Sequence, residues 1–413
     1  MTPIHVGILG IFVLIVLVAF RLNAGVSLIV VAFLGCCLLT SPGLALTELG
    51  GGVIWAVRNY DLSVIPLLVL MCGIFWREQS SESGALFGGL RVEPAMTRVV
   101  VRSDSAMTRV VVRSDSEMTH DGVRGEPEMT RGGFRQVFIF PVLALVIIAY
   151  FSGGSVGRFL MAGVFPGVIT ASLLMFAYTV ANKEKGTGWR TYVTGLVREN
   201  RRGLLFPIVL IILICGIFFG AFTPTEAAAV GAFISLVLAA VFRKLTLKGF
   251  FELLLRSAAA TAKLFVLIIG GSLFWTFMSK SLVHITFIQF TEQLEIAPVL
   301  IVGAFLIVYA IVGLILDFKS ALVLATPIAY PIVVGMGYSG TWFGVLSIMA
   351  LMFGLLSGPL EITLTFSAAE ARAQSRRRAL RLLPLWTPLL ISCMITVLLP
   401  GVIMLLPRIM LGS

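Results

Sequence analysis

Apolar residues dominate this sequence and recur in long runs rather than in strict alternation. Several runs approach or reach the roughly 17–25 residues that cross a bilayer. Because backbone polar groups in hydrocarbon must pair within their own segment, such runs predict helices, whereas a lipid-facing barrel would show short alternating strands. The pattern therefore predicts an all-α polytopic membrane protein. The most apolar stretches are Val6–Phe20, Phe206–Phe219, Ala227–Phe242, Val299–Leu316 and Leu389–Leu406.

The runs divide the chain into an ordered series of predicted transmembrane segments. The first three lie at about 5–20, 25–40 and 62–76, and we expect the first to be a retained helix rather than a signal peptide, because no basic residues precede it. The later segments lie at about 136–152, 158–180, 204–222, 224–242, 259–279, 297–316, 321–337, 341–366 and 382–410.

Composition narrows the class of protein further. Of 413 residues, 58% are hydrophobic and only 12% are charged, against about 25% charged in a typical soluble domain. The net charge of +11 is concentrated in Lys183–Arg202, Arg243–Arg256 and Arg372–Arg381. Positive charge in short loops predicts a cytoplasmic location for them rather than a nucleic-acid partner. The five cysteines and three histidines show no metal-binding or catalytic spacing, so the sequence predicts no enzyme.

Residues 77–135 differ from the rest of the chain. Arg, Asp and Glu make up 18 residues of this stretch, and Ala95–Ser105 recurs identically at Ala106–Ser116, which gives an 11-residue period. No apolar helical stripe emerges from the repeat, so we interpret it as a disordered low-complexity insert. The predicted divisions are 1–76 with N-terminal transmembrane helices, 77–135 with the insert, 136–242 with further transmembrane helices, and 243–413 with a second transmembrane repeat that contains re-entrant or broken helices.

Three clusters of polar and small residues within the apolar sequence are candidate sites for ion or substrate binding. The first is Gly220–Ala232, which includes Thr223, Pro224, Thr225 and Glu226. Pro224 suits the first turn of a helix, Thr223 its cap, and Glu226 the positive end of the helix dipole. This segment is therefore either a structural helix start or part of a substrate and ion pathway.

The other two constellations lie in the second half of the chain. Asp317 ends a long apolar run, and it either forms part of an ion pathway or is an interfacial carboxylate that pairs with Lys319 or caps a new helix at Ser320. Gly354–Glu361 combines small residues, a proline and the Ser357 hydroxyl, which suits coordination of a hard cation by oxygen. Prolines in Ala325–Pro331 likewise predict an interrupted helix, a feature that often lines a site at membrane depth.

In order and spacing these motifs resemble the large membrane subunit, DctM type, of tripartite ATP-independent periplasmic (TRAP) transporters. The segment Gly220–Ala229 is close to a signature of that family. Further similarity covers about 1–90 and 140–410, and its segments are Asp61–Met71, Ser155–Gly167, Gly313–Asp317, Pro327–Pro331, Trp342–Gly344 and Gly354–Pro359.

The resemblance implies two inverted repeats with re-entrant hairpins in an elevator-type ion-transporter fold. It implies a multi-pass protein of the bacterial inner membrane that works with a small membrane subunit and a periplasmic substrate-binding protein. Sodium would be the coupling ion, with no organic cofactor, and the substrate would be an organic acid such as a C4-dicarboxylate. Carried over, the sodium ligands are backbone oxygens and the hydroxyl at Gly313, Gly354, Ser357 and Leu360.

The sequence also departs from the family pattern. The Gly-Ser-Ser element of the first repeat is absent, and the later Pro-Pro-Ser element would fall at 140–144, which is apolar and lacks the serine. In the second repeat Thr-Pro-Pro is replaced by Ser357–Pro359. The first hairpin is therefore expected to be lost or altered. Two hypotheses follow, a working sodium-coupled permease, or a degenerate paralogue or decayed gene product that does not transport.

Overall fold

A computed structural model describes residues 2–20, 22–76, 129–181, 205–243, 247–293, 295, 297–357 and 387–411. Within these ranges the chain is helical and contains no strand, which confirms the predicted all-α polytopic class. Most of the predicted insert, 77–128, lies outside the described residues. The helix that follows begins at Met129, so residues 129–135 of the predicted insert belong to it.

The N-terminal part contains one helix that the apolar runs did not predict. The first two helices, α1 (Pro3–Ala19) and α2 (Ala24–Leu39), match the predicted runs. They are followed by α3 (Pro42–Arg58), a short 3-10 turn, Tyr60–Ser63, and α4 (Val64–Trp76). The stretch Pro42–Arg58 and the stretch Tyr60–Ile74 are bent by 55° at Asn59, whose side chain accepts a hydrogen bond from the Asp61 amide.

The central and C-terminal helices follow the predicted order with two further differences. They are α5 (Met129–Ser152), α6 (Val156–Ala181), α7 (Leu205–Phe218), α8 (Pro224–Arg243), α9 (Leu247–Ser281), α10 (Val283–Gln293), α11 (Pro298–Ile315), α12 (Phe318–Gly335), α13 (Gly340–Ser357), α14 (Thr387–Leu398) and α15 (Pro400–Leu411). Helix α10 was not predicted. Most of the predicted loop Arg243–Arg256 forms the start of α9. Its charged residues Lys248, Glu252 and Arg256 recur every four residues with apolar residues between them, a spacing that supports an amphipathic helix.

The prediction of an interrupted helix at Ala325–Pro331 was wrong. Helix α12 continues through both Pro327 and Pro331. Each proline removes one backbone donor, and a buried helix keeps its course when neighbouring groups accommodate the freed carbonyls. Helix α12 is largely buried and packs against α9, α11 and α13, so tertiary packing maintains it.

Helix α9 is the longest described helix and forms the centre of the packing. It lies against α2 over much of its length, and α1, α3, α4 and α12 also contact it. A Cβ atom at Gly270 would lie 2.5 Å from the Gly25 carbonyl oxygen of α2. Small residues at this crossing therefore allow the two backbones to touch, as in closely packed membrane helices.

Five described helices, α6, α8, α9, α11 and α12, are long and apolar enough to cross a bilayer, and the bent pairs α3–α4 and α14–α15 raise the number to as many as seven. Many large apolar side chains on the described helices are exposed, such as Phe12 of α1, Leu38 of α2 and Ile307 of α11. Exposed apolar surface on this scale is what a lipid environment requires. The fold is that of a polytopic membrane protein.

Candidate functional site

The structure brings Gly313 and Gly354 into direct contact at the crossing of α11 and α13. A Cβ atom at Gly354 would lie 2.3 Å from the Ala310 carbonyl oxygen and 3.0 Å from Cα of Gly313. A Cβ atom at Gly313 would lie 3.0 Å from the Leu351 carbonyl oxygen. Only glycine permits this approach, and both positions are buried.

The crossing lies beside the C-terminal end of α11. The Leu316 amide donates to the Val312 carbonyl at 2.9 Å, and α11 ends at Ile315. The Gly313 carbonyl thus belongs to the last turn, where helix carbonyls have no donor within the helix. Such carbonyls suit coordination of a hard cation. Ser357 is the last helical residue of α13, whereas Leu360 lies outside the described residues.

Asp317 links the crossing to α12. Its backbone is extended, and its carboxylate accepts a hydrogen bond from the Ser320 amide at 3.3 Å, so it is the N-cap of α12. Its side chain is exposed. The capping interpretation considered from the sequence is therefore correct. The proposed role of Asp317 in an ion pathway stays a prediction.

Thr223 and Glu226 form a capping box at the start of α8. The Thr223 amide donates to the Glu226 carboxylate at 2.8 Å, and the Glu226 amide donates to the Thr223 hydroxyl at 3.3 Å. Pro224 occupies the first turn, and Thr225 follows it. This reciprocal pairing satisfies two amides that a helix start leaves without partners. The local sequence signal for a helix start is thus confirmed.

The capping box is not part of the Gly313–Gly354 crossing. Helix α8 packs against α4 and α7, whereas the crossing belongs to α11 and α13. A Cβ atom at Gly157, in the first turn of α6, would lie 3.6 Å from the Pro224 ring. The structure therefore divides the predicted site residues between two places. A role of Thr223–Glu226 in a substrate or ion pathway is a prediction that needs a site of its own.

Sequence reasoning missed a series of contacting aromatic rings that come from four helices. The ring of Trp55 lies 5.2 Å from that of Tyr150, and Tyr150 lies 5.3 Å from Phe151. Phe151 stacks on Trp275 at 6.2 Å, and Trp275 lies 6.1 Å from Tyr330. We call these five residues the aromatic ladder.

Hydroxyl groups accompany the aromatic ladder. The Tyr150 hydroxyl is buried and makes no hydrogen bond of ordinary geometry with a described residue. Ser272 lies next to it but donates to the Ile269 carbonyl at 2.8 Å. Ser152 lies beside the Tyr330 hydroxyl. The only sequence signal for this group was the presence of two tyrosines within apolar runs, where a buried hydroxyl usually requires a partner.

Comparisons with known proteins show which family the chain is similar to. Residues 136–402 match the family described as the tripartite ATP-independent periplasmic transporter, DctM component. The sialic acid TRAP transporter large permease protein SiaM of Vibrio cholerae is 28% identical over 278 residues, which are 66% of this chain and 64% of that protein. The C4-dicarboxylate TRAP transporter large permease protein DctM of Pseudomonas aeruginosa is 27% identical over 275 residues, with the same two shares.

A third relative is the 2,3-diketo-L-gulonate TRAP transporter large permease protein YiaN of Escherichia coli, which is 26% identical over 243 residues. That alignment covers 56% of this chain and 55% of the relative. The chain therefore spans less than two thirds of the length of the relatives it matches.

Proposed function

This chain belongs to the DctM component family of tripartite ATP-independent periplasmic transporters, and we propose that it is the large membrane subunit of a sodium-coupled transporter for an organic acid. The large subunits named above belong to systems for sialic acid, C4-dicarboxylates and diketogulonate, all of which are carboxylic acids. By analogy, a small membrane subunit and a periplasmic binding protein would complete the system in the bacterial inner membrane.

The observation that carries the proposal is the backbone contact between Gly313 and Gly354. It combines a close crossing of two apolar helices with the open last turn of α11, and Asp317 follows at the same junction. Backbone carbonyls and a carboxylate are the ligands that hard monovalent and divalent cations prefer. A sodium ion held here would link the α11–α12 junction to the end of α13.

The chain also supports a second candidate, a family member that has lost transport. The family match begins at residue 136, immediately after the Arg-rich repeats. At the expected place of the Pro-Pro-Ser element, Leu143 and Ala144 are buried apolar residues. Since an elevator-type site is built from both repeats, loss of the first-repeat polar groups would remove half of it.

Uptake into proteoliposomes tests the two candidates. The chain is reconstituted with the small subunit and supplied with the binding protein of its own system, and uptake of labelled N-acetylneuraminate, succinate and 2,3-diketo-L-gulonate is measured. A working permease requires an inward sodium gradient and both partners for uptake of one of these acids. Sodium-independent uptake contradicts the sodium coupling. No uptake of any acid with the matching partners supports the non-transporting candidate.

Resequencing of the coding DNA across residues 77–145 separates two origins of the non-transporting candidate. A second reading frame that encodes Gly-Ser-Ser and Pro-Pro-Ser identifies a frameshift in an otherwise ordinary permease gene. If no frame restores these elements, the repeats have replaced the first hairpin.

A further inference from the structure

Helix α9 is longer than a bilayer crossing requires, and its two halves differ in charge. Its 35 residues extend over about 52 Å, whereas the hydrocarbon core of a bilayer is about 30 Å thick. Residues 264–279 contain no charged side chain and extend over about 24 Å, while residues 247–263 contain three basic residues and one acidic residue. Because charged side chains are costly in hydrocarbon, 264–279 form the spanning half, and the first half, 247–263, lies at the membrane boundary.

Contacts with other helices agree with this placement. Leu253 packs with Ile74 and Ala239, which stand two residues before the end of α4 and four residues before the end of α8. Spanning helices end at the bilayer surface, so Leu253 lies at the level of that surface. Helix α8 leads into the segment Arg243–Arg256, whose positive charge predicts a cytoplasmic location. The first half of α9 is therefore assigned to the cytoplasmic leaflet.

Large apolar side chains form an exposed row along the first half of α9. Leu247, Phe251 and Leu255 lie four residues apart on one side of the helix, and they are 79%, 62% and 72% exposed. We call these three residues the apolar row. On the same side, the exposed Ala262 leads to Val266, which is 40% exposed in the spanning half. The apolar surface that acyl chains cover in the spanning half therefore continues along the first half.

A charged row lies beside the apolar row. Lys248, Glu252 and Arg256 are also four residues apart and exposed, one position further round the helix. Glu252 pairs with Arg256, whereas Lys248 and Lys263 form no ion pair within the described part of the chain. A helix with an apolar side and a basic side is typical of helices that lie in the membrane surface, where the apolar side contacts acyl chains and the basic side contacts headgroups.

The balance of charge indicates which lipids fit this surface. Between Arg243 and Lys263 the sequence contains five basic residues and one acidic residue. Basic clusters on the cytoplasmic side of a spanning helix attract anionic headgroups, with a gain in affinity of about fivefold for each basic residue near the surface. Zwitterionic headgroups lack the net negative charge that would balance the excess of basic residues. The partner that matches this surface is an anionic phospholipid.

We propose that the first half of α9 binds anionic phospholipid of the cytoplasmic leaflet, with acyl chains against the apolar row and phosphate groups beside Lys248 and Lys263. The proposal goes beyond transport, since it uses only the membrane location of the chain and the surface of α9. A protein partner that covers the same face is the competing occupant, and the experiment below distinguishes it from lipid.

Tryptophan quenching by brominated lipids tests whether acyl chains reach the apolar row. The full chain is reconstituted into phosphatidylcholine vesicles with and without bromine on the acyl chains, and the emission of the parent is subtracted from that of each variant. The emission added by Phe251→Trp is expected to fall by about half or more in brominated vesicles, because the apolar row lies at acyl-chain depth. Glu252→Trp is the matched control, since it places an indole one position away, in the charged row, and its added emission should stay nearly unchanged.

The same indole reports which headgroup is preferred. Brominated phosphatidylglycerol or brominated phosphatidylcholine is mixed into unbrominated phosphatidylcholine, and the relative affinity of the two lipids for the Phe251→Trp chain is measured. Phosphatidylglycerol is expected to bind at least about fivefold more tightly. Adding Lys248→Gln and Lys263→Gln should lower this preference at least about threefold, whereas Lys248→Arg with Lys263→Arg should keep it, because the charge is retained. Glu252→Gln should raise the preference, since it removes a negative charge and releases Arg256 from its ion pair.

Each outcome decides the proposal. It is overturned if Phe251→Trp is quenched no more than Glu252→Trp, if phosphatidylglycerol is not preferred, or if the glutamine and arginine pairs show the same preference. It is also overturned if quenching at Phe251→Trp disappears when the small membrane subunit is added, because the apolar row is then a protein contact. Quenching that persists in the complex, together with a preference that follows charge at the two lysines, supports the lipid site.

Discussion

The crossing of α11 and α13 allows a sharp test through one added methyl group. Gly354→Ala places a Cβ atom 2.3 Å from the Ala310 carbonyl oxygen, whereas ordinary contacts begin near 3.4 Å. The obstacle is backbone, which cannot rotate away as a flexible side chain would. The two helices must therefore separate by about 1 Å, in a core packed as densely as an organic crystal.

The expected cost follows from two opposing effects. Overpacking of a tight core typically costs about 1–3 kcal/mol, and a backbone obstacle favours the upper end of that range. Alanine in place of glycine inside a helix contributes up to about 1 kcal/mol of stability. The net expectation is a loss of about 2 kcal/mol, together with disruption of the candidate sodium site.

Gly303→Ala is the matched control, because Gly303 lies on the same helix, α11, with no atom within 4 Å of an added Cβ. This variant should be as stable as the parent or gain up to about 1 kcal/mol. Unfolding of both variants is measured in mixed micelles by titration with a denaturing detergent. If Gly354→Ala is as stable as Gly303→Ala, α11 and α13 do not touch through their backbones, and the reasoning about this site fails.

Three further predictions concern caps and charges. Thr223→Ala should lose about 1 kcal/mol of local stability at the start of α8, seen as faster amide exchange at Glu226, while Glu226→Gln should lose less because glutamine also completes a capping box. Glu48 and Lys280 form a partly buried ion pair between α3 and α9, so Glu48→Gln should lower the free energy of unfolding by no more than about 1 kcal/mol. Exchanging the two residues should keep most of the parent's stability. A double variant that is no more stable than Glu48→Gln refutes the pairing. Asp317→Asn should keep the cap and leave unfolding unchanged, because asparagine caps equally well, yet abolish sodium-dependent uptake; unchanged uptake would exclude the carboxylate from the ion pathway.

Apolar run length was sufficient to predict most of the fold, and the exceptions share one physical cause. Helix α3 contains Glu48 and three consecutive glycines, and α10 contains His284 and Glu292, so neither forms a long apolar run. Both are nevertheless helices, because packing against α9 and other neighbours stabilises a mixed surface. A search for apolar runs long enough to cross a bilayer cannot detect helices with such mixed surfaces.

The site residues, too, divide into those that the sequence predicted and those that it did not. The resemblance to the family implied that Gly313 and Gly354 belong to one site, but it did not predict that their backbones touch. The start of α8 was predicted from the chemistry of capping alone. The aromatic ladder was not predicted, since Tyr150 and Trp275 are distant in sequence and each has the pattern of an ordinary packing residue. Only the fold shows that a buried hydroxyl lies beside a series of rings. Proline in α12 misled the prediction because dense packing outweighed the missing donors.

The contact of Gly25 with Gly270 limits how this protein can change shape. The backbones of α2 and α9 touch there, and the Phe277 ring of α9 fills the space over Gly10 of α1 and Gly35 of α2. The surfaces of these three helices therefore interdigitate. Sliding one past another would drive ring atoms into backbone. Any rearrangement that exposes opposite sides of the membrane in turn must carry α1, α2 and α9 as one rigid unit, and its sliding boundary has to run through other helix pairs.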